Sequence, residues 1–219
     1  MNVHIFDCDG VITDSNNLKT QGFDLVGRKY FNKSAHDDLM KFHFDNGGKS
    51  RWEKFNYVLK RNDLNHIDLD LLCMDYSNFV EQNLFKCNIV PGINNFINSL
   101  LKEVNIKNIY VVSAGEQNQV RRLIEFHQLP FLQENIYGSP KTKLSIFNSI
   151  KKQKSKYEFF VYGDSLHDAE CAFDIKANFV FIKGFTKSSE VQIKDKYPVR
   201  NSINDFRNIY FEKQQLVYV

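Results

Sequence analysis

The sequence predicts an α/β protein: a doubly wound parallel sheet with an all-helical block inserted after the first strand. Three observations carry this. Beyond residue 90, short apolar runs alternate with stretches of helical period, the signature of a parallel sheet with helices on both faces. Residues 3–6 form a further apolar run that must join that sheet. Between the two, residues 15–88 hold helical signals alone.

The elements follow in order. The strand at residues 3–6 stops at Asp7. A helix starts near Ser15 and turns Leu18, Gly22, Leu25 and Val26 to one face. A second spans about residues 34–45, and Gly47-Gly48 stops it. A third starts at Ser50, where "SRWE" is a capping box: the Ser50 hydroxyl accepts from the N–H of Glu53, whose carboxylate reaches back. Trp52, Phe55, Val58 and Leu59 supply its apolar face. A fourth covers roughly residues 68–85. Pro91-Gly92 punctuates the chain, and Ile93, Phe96, Ile97, Leu100, Leu101 and Val104 then recur at helical period. "NIYVVSAG" is a strand that ends in Ser113, and the helix after it runs from about residue 118 until Pro130. "NIYGSPKTK" leads into another helix. "YEFFVYGDS" is a strand, "HDAECAFDI" a helix and "NFVFIKG" the last clear strand. From Tyr197 on, no element is assigned. His4 is expected as a satisfied core histidine, His167 as an exposed loop residue and Cys8 as a core filler.

The bulk numbers suit this plan. A chain of 219 residues, 42% apolar, can bury one core and an inserted subdomain. A net charge of +3 without a basic block gives no reason to expect nucleic acid or a membrane surface as partner. No apolar run is long enough to span a bilayer, and no secretory signal is read at the N-terminus. Cys8, Cys73, Cys87 and Cys171 form no CxxC pair, which suggests free thiols and a cytoplasmic location. No oligomeric state is read from the sequence.

Ligands of parallel α/β sheets bind beyond the carboxyl ends of the strands. Four such ends carry chemistry here: Asp7 and Asp9 after the first, Ser113 at the second, Lys141 and Lys143 after the third, Asp164 and Asp168 after the fourth. Two carboxylates about 4 Å apart repel by roughly 4 kcal/mol at an effective dielectric of 20. A hard cation reverses that repulsion, and an all-oxygen donor set suits Mg²⁺. A hydroxyl and an ammonium alongside can hold phosphate oxygens. The set therefore points to phosphoryl chemistry. An Asp near its reference pKa of about 3.9 is a poor acid at neutral pH, so Asp9 is expected to have a raised pKa. Gly10 is expected to bring its N–H to the phosphate.

"DCDGVITDS", "VVSAG", "GSPKTK" and "GDSLHD" resemble the four ordered motifs of the haloacid dehalogenase superfamily, and the resemblance covers nearly the whole chain. It implies a Rossmann-like catalytic core over residues 1–14 and 89–219, and a helical cap over residues 15–88. It implies that Asp7 is the nucleophile that forms an aspartyl-phosphate, and that Asp9 protonates the leaving oxygen and later activates water. Mg²⁺ would be held by the carboxylates of Asp7 and Asp164 and the backbone carbonyl of Asp9. Gly10, Ser113, Ala114 and a lysine would bind the phosphate, and Asp168 would support the metal's waters or that lysine. The superfamily lysine often precedes proline, and neither lysine here does. Lys143 is favoured because it opens the helix of Leu144, Phe147 and Ile150, with Lys141 as the alternative.

Substrate choice is expected from the cap. In "DNGGKSRWEKF", Lys49 and Arg51 sit at a helix start that suits an anion, and Lys19 lies beside the catalytic loop. Hinges are expected near Asp14 and Ile89. The resulting expectation is a Mg²⁺-dependent phosphatase for a small phosphorylated metabolite, a sugar phosphate or related polyol phosphate. A phosphosugar mutase is the alternative, as is a phosphonate hydrolase using Lys19 or Lys49 as a Schiff-base amine. A phospho-receiver or a non-catalytic binding protein is more distant, since receivers are shorter and every core group is present here.

Overall fold

The computed structural model describes residues 1–218. Strand β1 (Asn2–Phe6) leads into four helices, α1 (Asn16–Tyr30), α2 (Lys33–Asp45), α3 (Arg51–Arg61) and α4 (Leu69–Leu84). There follow α5 (Ile93–Leu101), β2 (Ile109–Glu116), α6 (Gln117–Phe126), β3 (Ile136–Ser139), α7 (Lys143–Gln153), β4 (Glu158–Gly163), α8 (Leu166–Asp174) and β5 (Asn178–Ile182). The chain ends with α9 (Glu190–Lys194), β6 (Asn201–Ile203) and the strands β7 (Ile209–Glu212) and β8 (Gln215–Tyr218).

The main sheet has the order β3-β2-β1-β4-β5-β6, and all its strands run parallel. Strand order reverses at β1 and β4, which are neighbours. This is the switch point where parallel sheets open a ligand crevice.

Both faces of the sheet are buried, as the continuous apolar runs require. Val3 and Ile5 point to one face, where Phe147, Ile150, Ala172 and Ile193 of α7, α8 and α9 cover them. Phe6 points to the other, against Phe96 of α5 and Phe206. That second cluster continues without a break into the four-helix block through Val11, Ile12, Phe23, Phe55 and Tyr76. Two chain crossings join block and sheet, and they bond to each other: Asp14 N–H donates to Asn88 O (2.9 Å) and Val90 N–H to Ile12 O (2.8 Å).

The capping box at Ser50 is present in both directions, α1 to α4 start within two residues of the expected positions, and α2 and α4 also end within two residues of theirs. Three apolar residues expected inside lie at the surface instead: Leu25 (46% exposed), Trp52 (36%) and Leu144 (36%). On α3 the inward stripe runs through Arg51, Lys54, Phe55 and Val58, which turns Trp52 outward. His4 is buried but only half satisfied. Its Nδ1 meets the Tyr162 hydroxyl at 3.0 Å, while Nε2 has no partner. His167 lies in the first turn of α8 rather than in a loop, half-buried and bonded to Glu170 (3.0 Å). Cys8 is buried, as expected of a core filler.

Candidate active site

The loop after β1 is a tight turn built on one carbonyl. Cys8 O accepts from Ile12 N–H (2.8 Å) and Thr13 N–H (3.0 Å). Gly10 closes the turn with φ +78°, and its N–H donates to Thr13 O (2.7 Å). That N–H is therefore spent on the turn and not offered to a ligand, contrary to expectation. The glycine is required for a different reason. Its φ lies in the left-handed region, and a Cβ there would run into the side chains of Asn16 and Asp164.

The turn places Asp7 and Asp9 on different partners. Asp7 is buried, with Lys143 Nζ 2.7 Å from its Oδ1. This contact is an ion pair without hydrogen-bond alignment, so Oδ1 has no aligned donor. Lys143 is the first residue of α7, one position after the Thr142 cap, and the same Nζ donates to Asp168 Oδ1 at 2.7 Å. The alternative lysine, Lys141, is exposed. Asp168 stands in the first turn of α8 in a capping box with Ser165, whose N–H and hydroxyl both donate to its Oδ2. Both oxygens of Asp168 are thus occupied. Asp164, at the end of β4, accepts from Asn16 Nδ2 (2.7 Å).

Burial pushes Asp7 up to about 7, with Lys143 opposing and Asp168 and Asp9 adding to the rise. Burial and the charges of Asp7 and Asp168 push Asp164 well above the carboxylate range. Asp168 is held low: burial acts against ionisation, but the Lys143 contact outweighs it. One ammonium serves three buried carboxylates. Oxygens of Asp7, Asp164 and Asp168 lie within 4.8 Å of one another. The surplus negative charge, the unaligned Asp7 Oδ1 and the all-oxygen donor set together fit a hard divalent cation. Since Asp168 is already occupied, Asp7 and Asp164 are the side chains available to it.

Asp9 departs from expectation. Ser15 occupies the N-cap of α1 but gives its hydroxyl to Asp9 Oδ1 (2.5 Å) instead of capping the helix. Lys19, one turn on, brings Nζ to 3.3 Å from Oδ2. Burial favours the protonated acid, yet Lys19 and Ser15 outweigh it, and the pKa of Asp9 is lowered, not raised. The same pairing raises Lys19 against the effect of burial. Lys19 is therefore engaged by a carboxylate and is not an available amine.

Ser113, fully buried at the bend of β2, accepts from Gly115 N–H (2.9 Å) and is not itself among the residues that line the cavity. Ala114 and Gly115 line the cavity with Asp7, Asp9, Lys143 and Asp164. The helical block lines the other side, through Lys19, Lys49, Arg51, Lys54 and Tyr76. The cavity encloses about 660 Å³ of empty space, counting what opens to solvent. Lys49 is half-buried, its ammonium 5.6 Å from the Phe42 ring centre. Gly48 packs so closely on Ser165 and His167 that a Cβ there would collide with both.

Sequence reasoning missed three participants. Asn16, at the start of α1 and in none of the four motifs, bonds Asp164. Lys54 and His43 sit in the block's interior and were not singled out. The signal for Lys54 was its place on the apolar stripe of α3, one residue before Phe55, where a lysine is out of pattern.

The profile of the haloacid dehalogenase-like hydrolases matches residues 4–182. The chain belongs to this family of hydrolases. Solved structures agree at the level of fold. A hydrolase from Pseudomonas syringae superposes with a TM-score of 0.72 at 15% identity, over 94% of each chain. A family IA, variant 3 HAD hydrolase from Entamoeba histolytica gives 0.73 at 14% identity, over 98% of this chain and 97% of that one. A β-phosphoglucomutase from Clostridium difficile gives 0.66 at 16% identity, over 93% of this chain and 91% of that one. No curated protein matches the chain. Among the described residues no helix is long and apolar enough to cross a membrane.

Proposed function

We propose that this protein is a phosphatase that hydrolyses a small phosphorylated metabolite through an aspartyl-phosphate on Asp7, with Mg²⁺ as cofactor. A sugar phosphate or related polyol phosphate is the class of ester that suits the cavity. The observation that carries this reading is the buried convergence of Asp7, Lys143, Asp164 and Asp168 at the switch point of the sheet, with Asp9 lining the same cavity. The cluster is costly to bury and serves no packing need.

In this reading an Asp7 oxygen attacks phosphorus in line. A carboxyl–phosphate bond forms, the ester P–O bond breaks, and the leaving oxygen takes a proton. Lys143 opposes the rise that burial imposes on Asp7 and so favours the ionised form that attacks. The Ser113 hydroxyl donates to a phosphoryl oxygen, next to Ala114. Asp9 rests as a carboxylate paired with Lys19. An arriving phosphate dianion competes for Lys19 and raises the proton affinity of Asp9, which takes up a proton from solvent and passes it to the leaving oxygen. In the second half Asp9 accepts a proton from water as the water attacks phosphorus, which frees Asp7 and inorganic phosphate. Asp7, Asp164 and the carbonyl of Asp9 would hold Mg²⁺. The ion would supply positive charge to the phosphoryl oxygens and relieve the repulsion among the carboxylates.

Residues 15–88 serve as a cap over a core of residues 1–14 and 89–219, with the paired crossings at Asp14 and Asn88 as its hinge. Four free cysteines suit a cytoplasmic location. A phosphosugar mutase would use the same residues but return the phosphoryl group to a sugar hydroxyl, so release of free phosphate separates the two. The test is phosphate release from p-nitrophenyl phosphate. Turnover should require Mg²⁺ and fall by at least about 10³-fold in Asp7→Asn. No turnover, or turnover indifferent to that substitution, contradicts the reading.

A further inference from the structure

The helical block turns two buried cations into the cavity, and neither has an anion. Lys54 is 2% exposed and Arg51 7%. Lys54 Nζ lies 3.0 Å from His43 Nδ1 and 3.3 Å from the Gly47 carbonyl, with the Phe23 ring centre 5.0 Å away. Arg51 donates Nη1 to Ser77 Oγ and lies 5.7 Å from the Tyr76 ring centre. Among the described residues neither forms a salt bridge, although every other buried ammonium at this site does. The two are three residues apart on α3 and so share a face.

His43 fixes the direction of Lys54. Thr20 gives its hydroxyl hydrogen to Asn16 O (2.9 Å), so it accepts from His43 Nε2–H (2.9 Å). Nδ1 is then a lone-pair acceptor for Lys54. This imidazole is neutral, since burial and the charges of Lys54 and Lys187 push it down to about 3. Neutral acceptors aim an ammonium but do not compensate its charge. Burial, with Lys19 close by, pushes Lys54 down to about 7, and Asp9, Glu53 and Asp164 oppose this only in part. A guanidinium has no such escape and stays charged. The aromatic faces beside the two cations return less than an ion loses on leaving water. The pair is explained by a ligand that brings negative charge.

We propose that Lys54 and Arg51 form a subsite for a second anionic group, so that the preferred substrate is a phosphate ester that also bears a carboxylate or a second phosphate. The inference rests on the phosphatase reading of the carboxylate side of the cavity. Lys54, held by Thr20 through His43, acts as a specificity residue and takes no part in bond making.

Binding tests it without turnover. Calorimetry on the Mg²⁺-loaded protein would compare 3-phosphonopropionate with propylphosphonate, which lacks the carboxylate. The carboxylate should add about tenfold or more in affinity, the scale of one charge-assisted contact. Lys54→Met and Arg51→Gln should each remove most of that gain. Equal affinities, binding of neither compound, or a gain that survives both substitutions would overturn the subsite. If one variant does not fold, the other decides, and if neither folds the wild-type comparison decides. Turnover of 3-phosphoglycerate, fructose 1,6-bisphosphate and glycerol 3-phosphate then separates the carboxylate from the second phosphate as the source of charge. A carboxylate-dependent gain in binding with no turnover of any ester would sink the phosphatase reading and leave the subsite standing. Turnover without preference for the acidic esters, together with equal phosphonate affinities, would do the reverse.

Discussion

Removing the Lys143 ammonium would leave Asp7 and Asp168 as buried carboxylates with no cation between them. Breaking a buried pair in this way costs about 3–5 kcal/mol. Lys143→Met should therefore destabilise the protein by that order at neutral pH as well as abolish activity. The pH dependence has a definite sign. Lys143 holds Asp168 low, and without it the folded-state pKa values of both carboxylates rise. A group raised in the folded state favours folding in acid and loses that contribution as pH rises. The deficit against wild type should thus shrink toward pH 5 and widen toward pH 8, as read by urea denaturation. A constant deficit would mean that packing, not charge, is what Lys143 supplies. At this scale Asp7, Asp9, Lys143 and Asp164 were legible because each follows an apolar strand run. The ionisation of Asp9 was not, because it depends on how the turn brings Ser15 and Lys19 back onto it. Nothing in the spacing of those residues reveals that contact.

Helix α3 carries both cations of the proposed subsite, and the capping box at its start sets its position. Ser50→Ala removes the acceptor for Glu53 N–H and should cost about 1 kcal/mol of stability. A drop in Tm of a few degrees would register it, and no change would mean the box adds nothing to what packing already holds. The box was plain in the sequence because four consecutive residues encode it. Which side of α3 faces inward was less plain. Trp52 is the larger apolar residue, yet Arg51 and Lys54 take the buried side, since the cavity and not the core lies there. The hairpin of β7 and β8 was invisible for another reason. Its two-residue turn, Lys213-Gln214, has positive φ at both positions (50° and 62°), where Asn-Gly would be the usual signal.

Over the whole molecule, acid sensitivity follows from buried imidazoles. Burial pushes His4 down to about 3, on a face of the sheet where it stacks on Phe160. The unfolded chain takes up a proton at this site near pH 6.5 and the folded protein does not. Its pKa is depressed in the folded state, so its contribution makes stability fall as pH drops from 6.5 toward 3. Urea unfolding at pH 7, 6 and 5 should show a shallower loss for His4→Phe than for wild type. The difference in slope should approach about 1.4 kcal/mol per pH unit. Parallel curves would contradict the assignment. The sheet, its parallel sense and the place of the helical insertion could all be read from the alternation of apolar runs. The continuity of the core from sheet into helices could not, because it arises from Val11 and Ile12 in a loop with no periodic pattern.

The central claim is that Asp7 is the group that receives the phosphoryl. Borohydride reduces an acyl phosphate, so quenching the protein during turnover of p-nitrophenyl phosphate and reducing it should convert the phosphorylated aspartate to homoserine. Peptide mass spectrometry should find that change at Asp7, and no such change in protein quenched without substrate. Homoserine at another carboxylate, or none while phosphate is released, would contradict the account.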